Sequence, residues 1–142
     1  MASATSDYSH RTAVQKLGLE PDQRVELAGD VGVDLRRDAR DAISRGFVRS
    51  GDLDGAIVLV ESLDEAEEAF ARLRPRLRDA GYLWLVTRKA RQDGYVPQMS
   101  LVPAAKRHGL IDNKTCSLDE TRSAIRFVIP RALRENGSSP AG

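Results

Sequence analysis

The segment GLIDNKTCSLDETRSAIRFV (residues 109–128) decides how the fold ends. Two runs with strand character flank the short polar stretch DET, and the second of them, SAIRFVI (123–129), is rich in the β-branched and aromatic residues that favour strands. A connection of only a few residues joins antiparallel strands, because a parallel pair needs a crossover of a dozen residues or more. The sequence therefore predicts a C-terminal antiparallel hairpin with DET in its turn.

The tetrapeptide SLDE occurs twice, and its two copies predict different structures. After the first copy, apolar residues recur every three or four positions, which predicts a helix with Ser62 and Glu65 as a capping box. Pro75 interrupts the spacing and predicts a kink or break, after which the helix is expected to continue to Gly81. The second copy (117–120) has no helical spacing after it, so the same four residues are predicted to form a turn.

Strands and helices alternate through the rest of the chain. Runs with strand character are RVELAG (24–29), FVRS (47–50), GAIVLVE (55–61) and YLWLVT (82–87). Helical spacing predicts helices over 13–17, 34–46, 62–81 and 98–108. Asp34 is the expected N-cap of the second helix. The alternation predicts an α/β fold: a three-layer, Rossmann-like sheet, mostly parallel, that closes with the antiparallel hairpin.

Length and charge limit the classes of protein that fit. A chain of 142 residues is expected to form one domain, here over 12–134, between polar tails at 1–11 and 135–142 that are predicted to be disordered. The formal net charge of +1 gives no reason to expect a nucleic-acid or anionic-membrane partner. The N-terminus has no signal-peptide pattern, and no apolar run approaches the ~20 residues of a membrane span, so the expected location is the cytoplasm.

Four stretches resemble a bacterial family known only as domain of unknown function 3052. They are KLGLEPDQRV (16–25), DGAIVLV (54–60), GYLWLV (81–86) and, most specifically, GLIDNKTCSLDETRSAIRFV (109–128). The resemblance implies a compact, methyltransferase-like Rossmann fold and no established activity. Members of the family usually carry Trp after DET, whereas this chain carries Arg122. Any role that depends on a stacked indole is therefore in question for this chain.

A parallel sheet that ends in an antiparallel hairpin is also the outline of class I methyltransferases, in which the first strand ends in an acid followed by alternate glycines. One register places Glu26 at the acid position but leaves Gly32 as its only glycine. The other register starts at Gly29 and has Leu27 in place of the acid. Neither register completes the pattern, and the valines of this segment disfavour the left-handed backbone that such loops use.

The candidates for cofactor contacts are Gly29, Asp30, Gly32 and Asp52. Asp30 and Asp34 flank the predicted helix N-terminus where a dinucleotide's pyrophosphate would bind, and their charges disfavour NAD and FAD. S-adenosylmethionine has no phosphate and carries a cationic sulfonium, so this argument does not exclude it. Asp52, after the expected second strand, is placed to accept hydrogen bonds from a ribose, or is a turn residue of SGDLDG.

Other chemistry has little support in the residues. The motifs GxxxxGK[ST], HExxH and GxSxG are absent, and one cysteine cannot build a Cys-rich zinc site. His108 closes a predicted helix, where a cation is favoured, so a structural role is the simplest interpretation. Cys116 is interpreted as a buried, inert thiol on a strand, or alternatively as a reactive thiol beside Lys114. Asn113 and Lys114 have the least structural explanation, so they are the candidates for binding a partner or ligand.

Three hypotheses for the function follow. The first is a non-catalytic, Rossmann-like binding or regulatory module that acts with a protein partner or as a homo-oligomer, with no catalytic residue, cofactor or metal expected. The second is a divergent methyltransferase that holds S-adenosylmethionine with Asp30, Asp52 and the 88–97 loop. The third is a thiol-reactive or redox-sensing protein that acts through Cys116. The incomplete glycine pattern favours the first hypothesis. The segment between the predicted second and third strands also favours it, because that segment is too short for the usual helix–strand crossover, which forms part of the wall of a methyltransferase's cofactor site.

Overall fold

In the computed structural model, which describes residues 17–44 and 46–133, five strands form one mixed sheet. The strands are β1 (Val25–Ala28), β2 (Leu53–Leu59), β3 (Leu77–Arg88), β4 (Ile111–Ser117) and β5 (Arg122–Val128). Their order is β1-β2-β3-β5-β4. β1, β2 and β3 are parallel, whereas β5 runs antiparallel to both β3 and β4. The predicted α/β fold, with parallel N-terminal strands and an antiparallel C-terminal hairpin, is confirmed.

Helices cover both faces of this sheet, which gives the predicted three layers. They are α1 (Val33–Ala42), α2 (Leu63–Leu73) and α3 (Gln98–Arg107). Leu35 of α1 packs on the face of the sheet that carries Trp84, which we call the α1 face. Phe70 of α2 and Leu101 of α3 pack on the opposite face with Leu83, which we call the α2–α3 face. None of the helices described is long and apolar enough to cross a membrane.

The connections β1–α1–β2 and β2–α2–β3 step in the same direction across the sheet but pass over opposite faces. They therefore differ in handedness, although almost all such crossovers are right-handed.

Before β2, the chain passes the outer edge of β1, where the Val48 amide donates to the Val25 carbonyl (2.9 Å). The predicted strand at 47–50 is wrong, because Gly51, with a φ of 84°, soon turns the chain into β2.

The ends of α1 differ from the prediction. Its N-cap is Gly32, with no side-chain cap, and Asp34 lies in its first turn. A φ of 101° at Gly32 lets the chain turn from β1 into the helix within a few residues. The helix ends at Ala42, earlier than predicted, where the Ser44 amide donates to the Pro21 carbonyl (2.9 Å) instead of extending the helix.

The first SLDE copy caps α2 almost as predicted. The Ser62 hydroxyl accepts a hydrogen bond from the Glu65 amide (3.1 Å), which confirms Ser62 as the N-cap. The Glu65 carboxylate accepts from the amide of Glu61 (2.8 Å), one residue before the position that a capping box uses.

Pro75 breaks the predicted helix, which is one of the two outcomes that the sequence predicts for it. The α-helix stops at Leu73, a short 3₁₀-helix covers Arg74–Arg76, and Leu77 already belongs to β3. Proline has no amide to donate to the preceding turn and its ring clashes with that turn's carbonyl. The predicted continuation of the helix to Gly81 is therefore wrong, and these residues extend the sheet.

The predicted tails and most of the predicted 13–17 helix lie outside the described residues. Leu17 is fully buried on the α1 face, and its carbonyl accepts a hydrogen bond from the Trp84 indole Nε1 (2.8 Å). A buried indole N–H needs such a partner. This bond ties the start of the described chain to the centre of the sheet.

Glu26 joins β1 to the end of α2. Its carboxylate, buried at 7% residue exposure, accepts hydrogen bonds from Arg72 Nη1 (2.7 Å) and Arg76 Nη1 (2.8 Å). Burial raises the pKa of Glu26, but the hydrogen bonds and charges of the two arginines outweigh it, and the pKa lies below its usual 4.5. The carboxylate therefore holds the fold together in its ionised form.

Replacing Glu26 with Gln is expected to destabilise the protein at pH 7 by about 1.5–3 kcal/mol, the range for hydrogen bonds to charged groups. A carboxylate with a lowered pKa stabilises the folded state above pH 4.5, and the contribution is lost as the pH falls through the folded-state pKa. Urea unfolding of both proteins between pH 7 and pH 3 should show the difference shrinking in acid. Glu68→Gln, at an exposed position of α2, is the matched control. A difference that stays constant with pH would contradict this role.

Candidate functional site

Four segments meet beyond the carboxyl ends of the parallel strands, where open α/β sheets bind their ligands. They are the β1–α1 loop (29–32), the residues after β2 (60–61), the β3–α3 loop (89–97) and the β4–β5 turn (118–121). The turn lies there because Arg122, the first residue of β5, pairs with Arg88, the last residue of β3. We call this surface the carboxyl edge.

Arg122 crosses the carboxyl edge and joins the β1–α1 loop to the hairpin. Its guanidinium donates to the Asp30 carboxylate (Nη2–Oδ2, 3.1 Å) and to the Asp30 carbonyl (Nε–O, 3.1 Å). It also donates to the Asp119 carboxylate (Nη1–Oδ2, 3.1 Å). Only 15% of the Arg122 side chain is exposed, although the two acids are more open. We call Arg122, Asp30 and Asp119 the arginine clasp.

Arg88 extends the clasp toward β2. Its Nε donates to Glu61 Oε2 (3.2 Å), and its Nη2 lies 3.8 Å from Asp30 Oδ2. The Lys89 amide adds a bond to the hairpin by donating to the Thr121 carbonyl (2.8 Å). The charged groups at this edge are thus bonded largely to one another, which fastens the four segments together.

The second SLDE copy forms the hairpin turn, as predicted. Asp119 Oδ1 accepts hydrogen bonds from the amides of Thr121 (2.8 Å) and Arg122 (2.7 Å), and the Leu118 amide donates to the Arg122 carbonyl (3.0 Å). Aspartate favours turns because its side chain bonds the backbone two residues on. The bond to the turn also orients Asp119 for the clasp.

Gly29 and Gly32 shape the β1–α1 loop. Both have a positive φ, 87° and 101°, which residues with a side chain rarely adopt. A Cβ at Gly29 would lie 2.9 Å from the Cβ of Leu59, and a Cβ at Gly32 would lie 3.6 Å from Arg122 Nη1. Each predicted register thus contributes one glycine to the same loop, and the two allow it to pack against β2 and against the clasp.

A pocket of about 260 Å³ lies beside the clasp. The start of α1 and the hairpin turn line it with Val31, Gly32, Val33, Asp34, Leu35, Leu118, Asp119 and Arg122. Ligand pockets usually measure roughly 300–1,000 Å³. Of the predicted cofactor-contact residues, Asp30 belongs to the clasp and Gly32 lines this pocket, which is smaller than usual ligand pockets.

Both carboxylates of the clasp have lowered pKa values. The Gly32 amide (3.2 Å) and then the charge of Arg122 lower the pKa of Asp30. Burial would raise the pKa of Asp119, but hydrogen bonds from Thr121 and Arg122 more than offset it and lower the pKa. Both acids are ionised at neutral pH and paired with arginine, so neither is tuned for proton transfer near neutrality.

Asp52 does not belong to the carboxyl edge. It comes directly before β2, at the amino end of the sheet, where its carbonyl accepts a hydrogen bond from Arg24 Nε (2.8 Å). Its expected position after a strand is wrong, because 47–50 form no strand. Glu26, the acid of one predicted register, lies on the α2–α3 face and is paired with arginines there. The structure therefore brings together Gly29, Asp30 and Gly32 only.

Asn113 and Lys114 lie on β4, an edge strand, and both are exposed. Asn113 is a bulge, because Asp112 pairs with Phe127 whereas Lys114 pairs with Arg126, the next residue back along β5. Both predicted residues are thus on the hairpin ladder and apart from the clasp.

Cys116 lies on a strand, as predicted, but it is only half-buried, because β4 has no neighbour on its outer side within the described chain. It packs against the α1-face cluster that contains Trp84. His108 lies on the other face, where its Nε2 is 3.1 Å from Glu67 Oε1 and its ring lies beside Phe70, contacts that are compatible with the predicted structural role. No cluster of His, Cys, Asp and Glu suited to a metal ion occurs within 17–44 and 46–133.

Sequence reasoning missed Arg122, Arg88 and Glu61 as members of this site. One sequence feature did single out Arg122: it occupies the position after DET, where members of the family usually have Trp. Its partners could not be identified, since Asp30 and Arg122 are 92 residues apart in the chain.

Comparison with known proteins relates this geometry to a family and a fold. A family model described as "Protein of unknown function (DUF3052)" matches residues 14–131. No curated protein matches the chain by sequence. Several solved structures match it in fold, and those compared below are methyltransferases.

Magnesium protoporphyrin IX methyltransferase from Synechocystis PCC 6803, with bound SAM (S-adenosylmethionine), is 14% identical over 86% of this chain and 78% of its own, with a TM-score of 0.62. Precorrin-6y C5,15-methyltransferase from Geobacter metallireducens GS-15 is 12% identical over 84% and 86%, with a TM-score of 0.60. A TehB-like SAM-dependent methyltransferase from Corynebacterium glutamicum is 11% identical over 91% and 100%, with a TM-score of 0.54. At these identities the likeness shows the fold alone, and it confirms the methyltransferase-like Rossmann fold.

Replacing Arg122 with Ala is expected to raise the pKa of Asp30 toward the usual 3.8, because the guanidinium that lowers it is removed. Carbon-detected NMR titration of the carboxylates measures this change, and faster amide exchange over 29–32 should accompany it. Arg37→Ala is the control, since it removes an exposed arginine that pairs with Asp34 (3.2 Å) and not with Asp30. An unchanged Asp30 titration in the Arg122 variant would contradict the clasp.

Proposed function

The chain belongs to the DUF3052 family of proteins of unknown function, and we propose that it is a non-catalytic binding module built on a methyltransferase-like fold. The arginine clasp carries the proposal. Arg122 lies across the carboxyl edge and pairs Asp30 with Asp119, so the groups that would contact a cofactor in this fold are bonded to one another. A cofactor that used the Asp30 or Asp119 carboxylate would have to compete with these charge-assisted bonds.

The sheet order also supports the proposal. In doubly wound folds a nucleotide binds in the crevice where the strand order reverses. The reversal occurs beside the first strand, because that strand has a neighbouring strand on each side. Here β1 is the edge of the sheet in the described chain, and only the segment at Val48 passes its outer side. The crevice beside β1 therefore lacks one of its walls.

Exposed apolar side chains indicate where the module binds. Four large apolar residues at the carboxyl edge are open to solvent: Val33 (79%), Leu63 (37%), Tyr95 (47%) and Met99 (86%). They lie in the first turns of the three helices and in the β3–α3 loop. Val33 belongs to the helix on the α1 face, whereas Leu63 and Met99 belong to the helices on the α2–α3 face, so these residues border the carboxyl edge on both sides of the sheet. Exposed apolar side chains at such an edge are candidate contacts for a protein partner. We call these four residues the apolar rim, and we propose that it docks a protein partner, with a second copy of this chain as the first to be tested.

Calorimetric titration with S-adenosylmethionine tests the absence of a cofactor site. We expect no saturable heat and no rise in Tm, because Asp30 is already bonded to Arg122 and a ligand stabilises only a state that it binds. S-adenosylhomocysteine serves as a second probe. Saturable binding together with methyl transfer to any acceptor would overturn the proposal.

A divergent methyltransferase is the second candidate, and the two positive-φ glycines of the β1–α1 loop, of which Gly32 lines the pocket, favour it. If S-adenosylmethionine binds, Asp30→Ala should weaken its binding. Asp52→Ala is then the matched control, because Asp52 lies at the amino end of the sheet and its substitution should leave the affinity unchanged. Equal effects of the two substitutions would exclude a cofactor site at the carboxyl edge.

Met99→Asp is expected to weaken self-association through the apolar rim. Light scattering over a range of concentrations should show a dimer of the wild-type protein, and the substitution should raise its dissociation constant about tenfold or more, because it places a charge in an apolar interface. Ile111→Ser is the control, since Ile111 is exposed to 36% at the opposite end of the sheet. A wild-type protein that stays monomeric would exclude the second copy as the partner.

A further inference from the structure

The C-terminal hairpin carries a pair of cations that neither the clasp nor the rim involves. Lys114 of β4 lies directly opposite Arg126 of β5 in the antiparallel ladder. Opposed residues share a face of the sheet, with Cβ atoms about 4.5–5.5 Å apart, and like charges in these positions are destabilising. The face is the α1 face, because the neighbours of Arg126 at alternate positions, Ala124 and Val128, pack there.

The bulge at Asn113 creates this pair. In a regular ladder Asn113 would follow Asp112 in register and lie opposite Arg126. Lys114 would then lie opposite Ile125 and on the other face, because a shift of one residue reverses the face of every side chain. Bulges re-aim side chains in this way and are frequent next to binding sites. The extra residue turns Lys114 onto the face of Arg126.

Within the described residues, Arg126 is positioned by an aromatic ring and not by a carboxylate. Its guanidinium carbon lies 5.3 Å from the centre of the Tyr82 ring, and the Tyr82 hydroxyl is held by donating to Gln23 Oε1 (2.8 Å). Gly55 makes room for the ring, which a Cβ at that position would overlap. Burial raises the pKa of Tyr82, so the phenol stays neutral and does not balance the charge of Arg126.

The positive charges of this pair are not neutralised within the described part of the chain. Neither Lys114 nor Arg126 belongs to any of the ion pairs formed within residues 17–44 and 46–133. Arg126 Nε is shielded from solvent without an acceptor, and a shielded donor without a partner calls for an explanation. The remaining guanidinium nitrogens and the exposed Lys114 ammonium are left as donors.

We propose that Lys114 and Arg126 bind an oxyanion, the phosphate or carboxylate group of a small-molecule ligand. A guanidinium and an ammonium on one face provide charge-assisted donors for such a group. The anion removes the repulsion between the two cations, and stacking on Tyr82 holds Arg126 in place before binding. This site is separate from the carboxyl edge, so it does not rest on the proposed function.

Inorganic phosphate is the probe for this site. Its addition should shift the backbone NMR signals of 113–116 and 124–128, relative to sodium chloride at equal ionic strength. Lys114→Gln and Arg126→Gln should each weaken phosphate binding about tenfold or more, as expected for loss of a charged hydrogen bond. Lys106→Gln and Arg40→Gln are matched controls, since each removes one exposed charge elsewhere and should leave binding unchanged.

A second readout separates binding from a structural role. In phosphate-free buffer of low ionic strength, Lys114→Gln should raise Tm, because it removes the like-charge contact, while it loses the stabilisation that phosphate confers on the wild-type protein. Acetate at the same concentration identifies the group: a response to phosphate alone assigns a phosphate ligand, and a response to acetate assigns a carboxylate. The proposal is overturned if neither anion shifts the hairpin signals, or if phosphate stabilises both Gln variants as much as the wild-type protein.

Discussion

The antiparallel pairing of β5 with β3 is the constraint on which the rest of the carboxyl edge depends. It sets Arg122, at the start of β5, opposite Arg88, at the end of β3. The turn before Arg122 must then lie at the carboxyl ends of the parallel strands, which brings Asp119 to the β1–α1 loop. Without this register the clasp could not form. The same pairing makes β4 an edge strand and sets its bulge on the exposed ladder.

Charge is distributed unequally between the turn of the hairpin and its ladder. At the carboxyl edge, arginines and carboxylates pair with one another, and the loops that would surround a cofactor are fastened together. On the ladder, Lys114 and Arg126 have no such partners in the described chain. In this methyltransferase-like fold, ion pairs within the chain thus tie the carboxyl edge, while Lys114 and Arg126, which form no ion pair within the described residues, lie on the hairpin ladder. This contrast is why the two proposals concern different surfaces.

Local signals predicted those elements whose structure depends on neighbouring residues. Ser62 was identifiable as an N-cap, because a cap bonds an amide three residues away. The second SLDE copy was identifiable as a turn for the same reason. Asp52 was misplaced, because its position relied on a strand at 47–50 whose backbone partners lie elsewhere in the chain. The arginine clasp escaped prediction, since Arg122 and its partner Asp30 lie at opposite ends of the described chain and meet only across the finished sheet.

The sequence by itself determined the alternation of strands and helices, the closing hairpin and the family, because periodicity, caps and turn residues act over a few positions. Tertiary structure alone decided on which face each helix packs, which strands form the edges, and which charges meet. The physical reason is that a face or an ion pair is set by strand order and register, and these depend on contacts between distant segments. Gly32 shows the difference. Its ability to adopt a positive φ is a property of the residue itself, whereas its close approach to the Arg122 guanidinium depends on the strand order and register of the whole sheet.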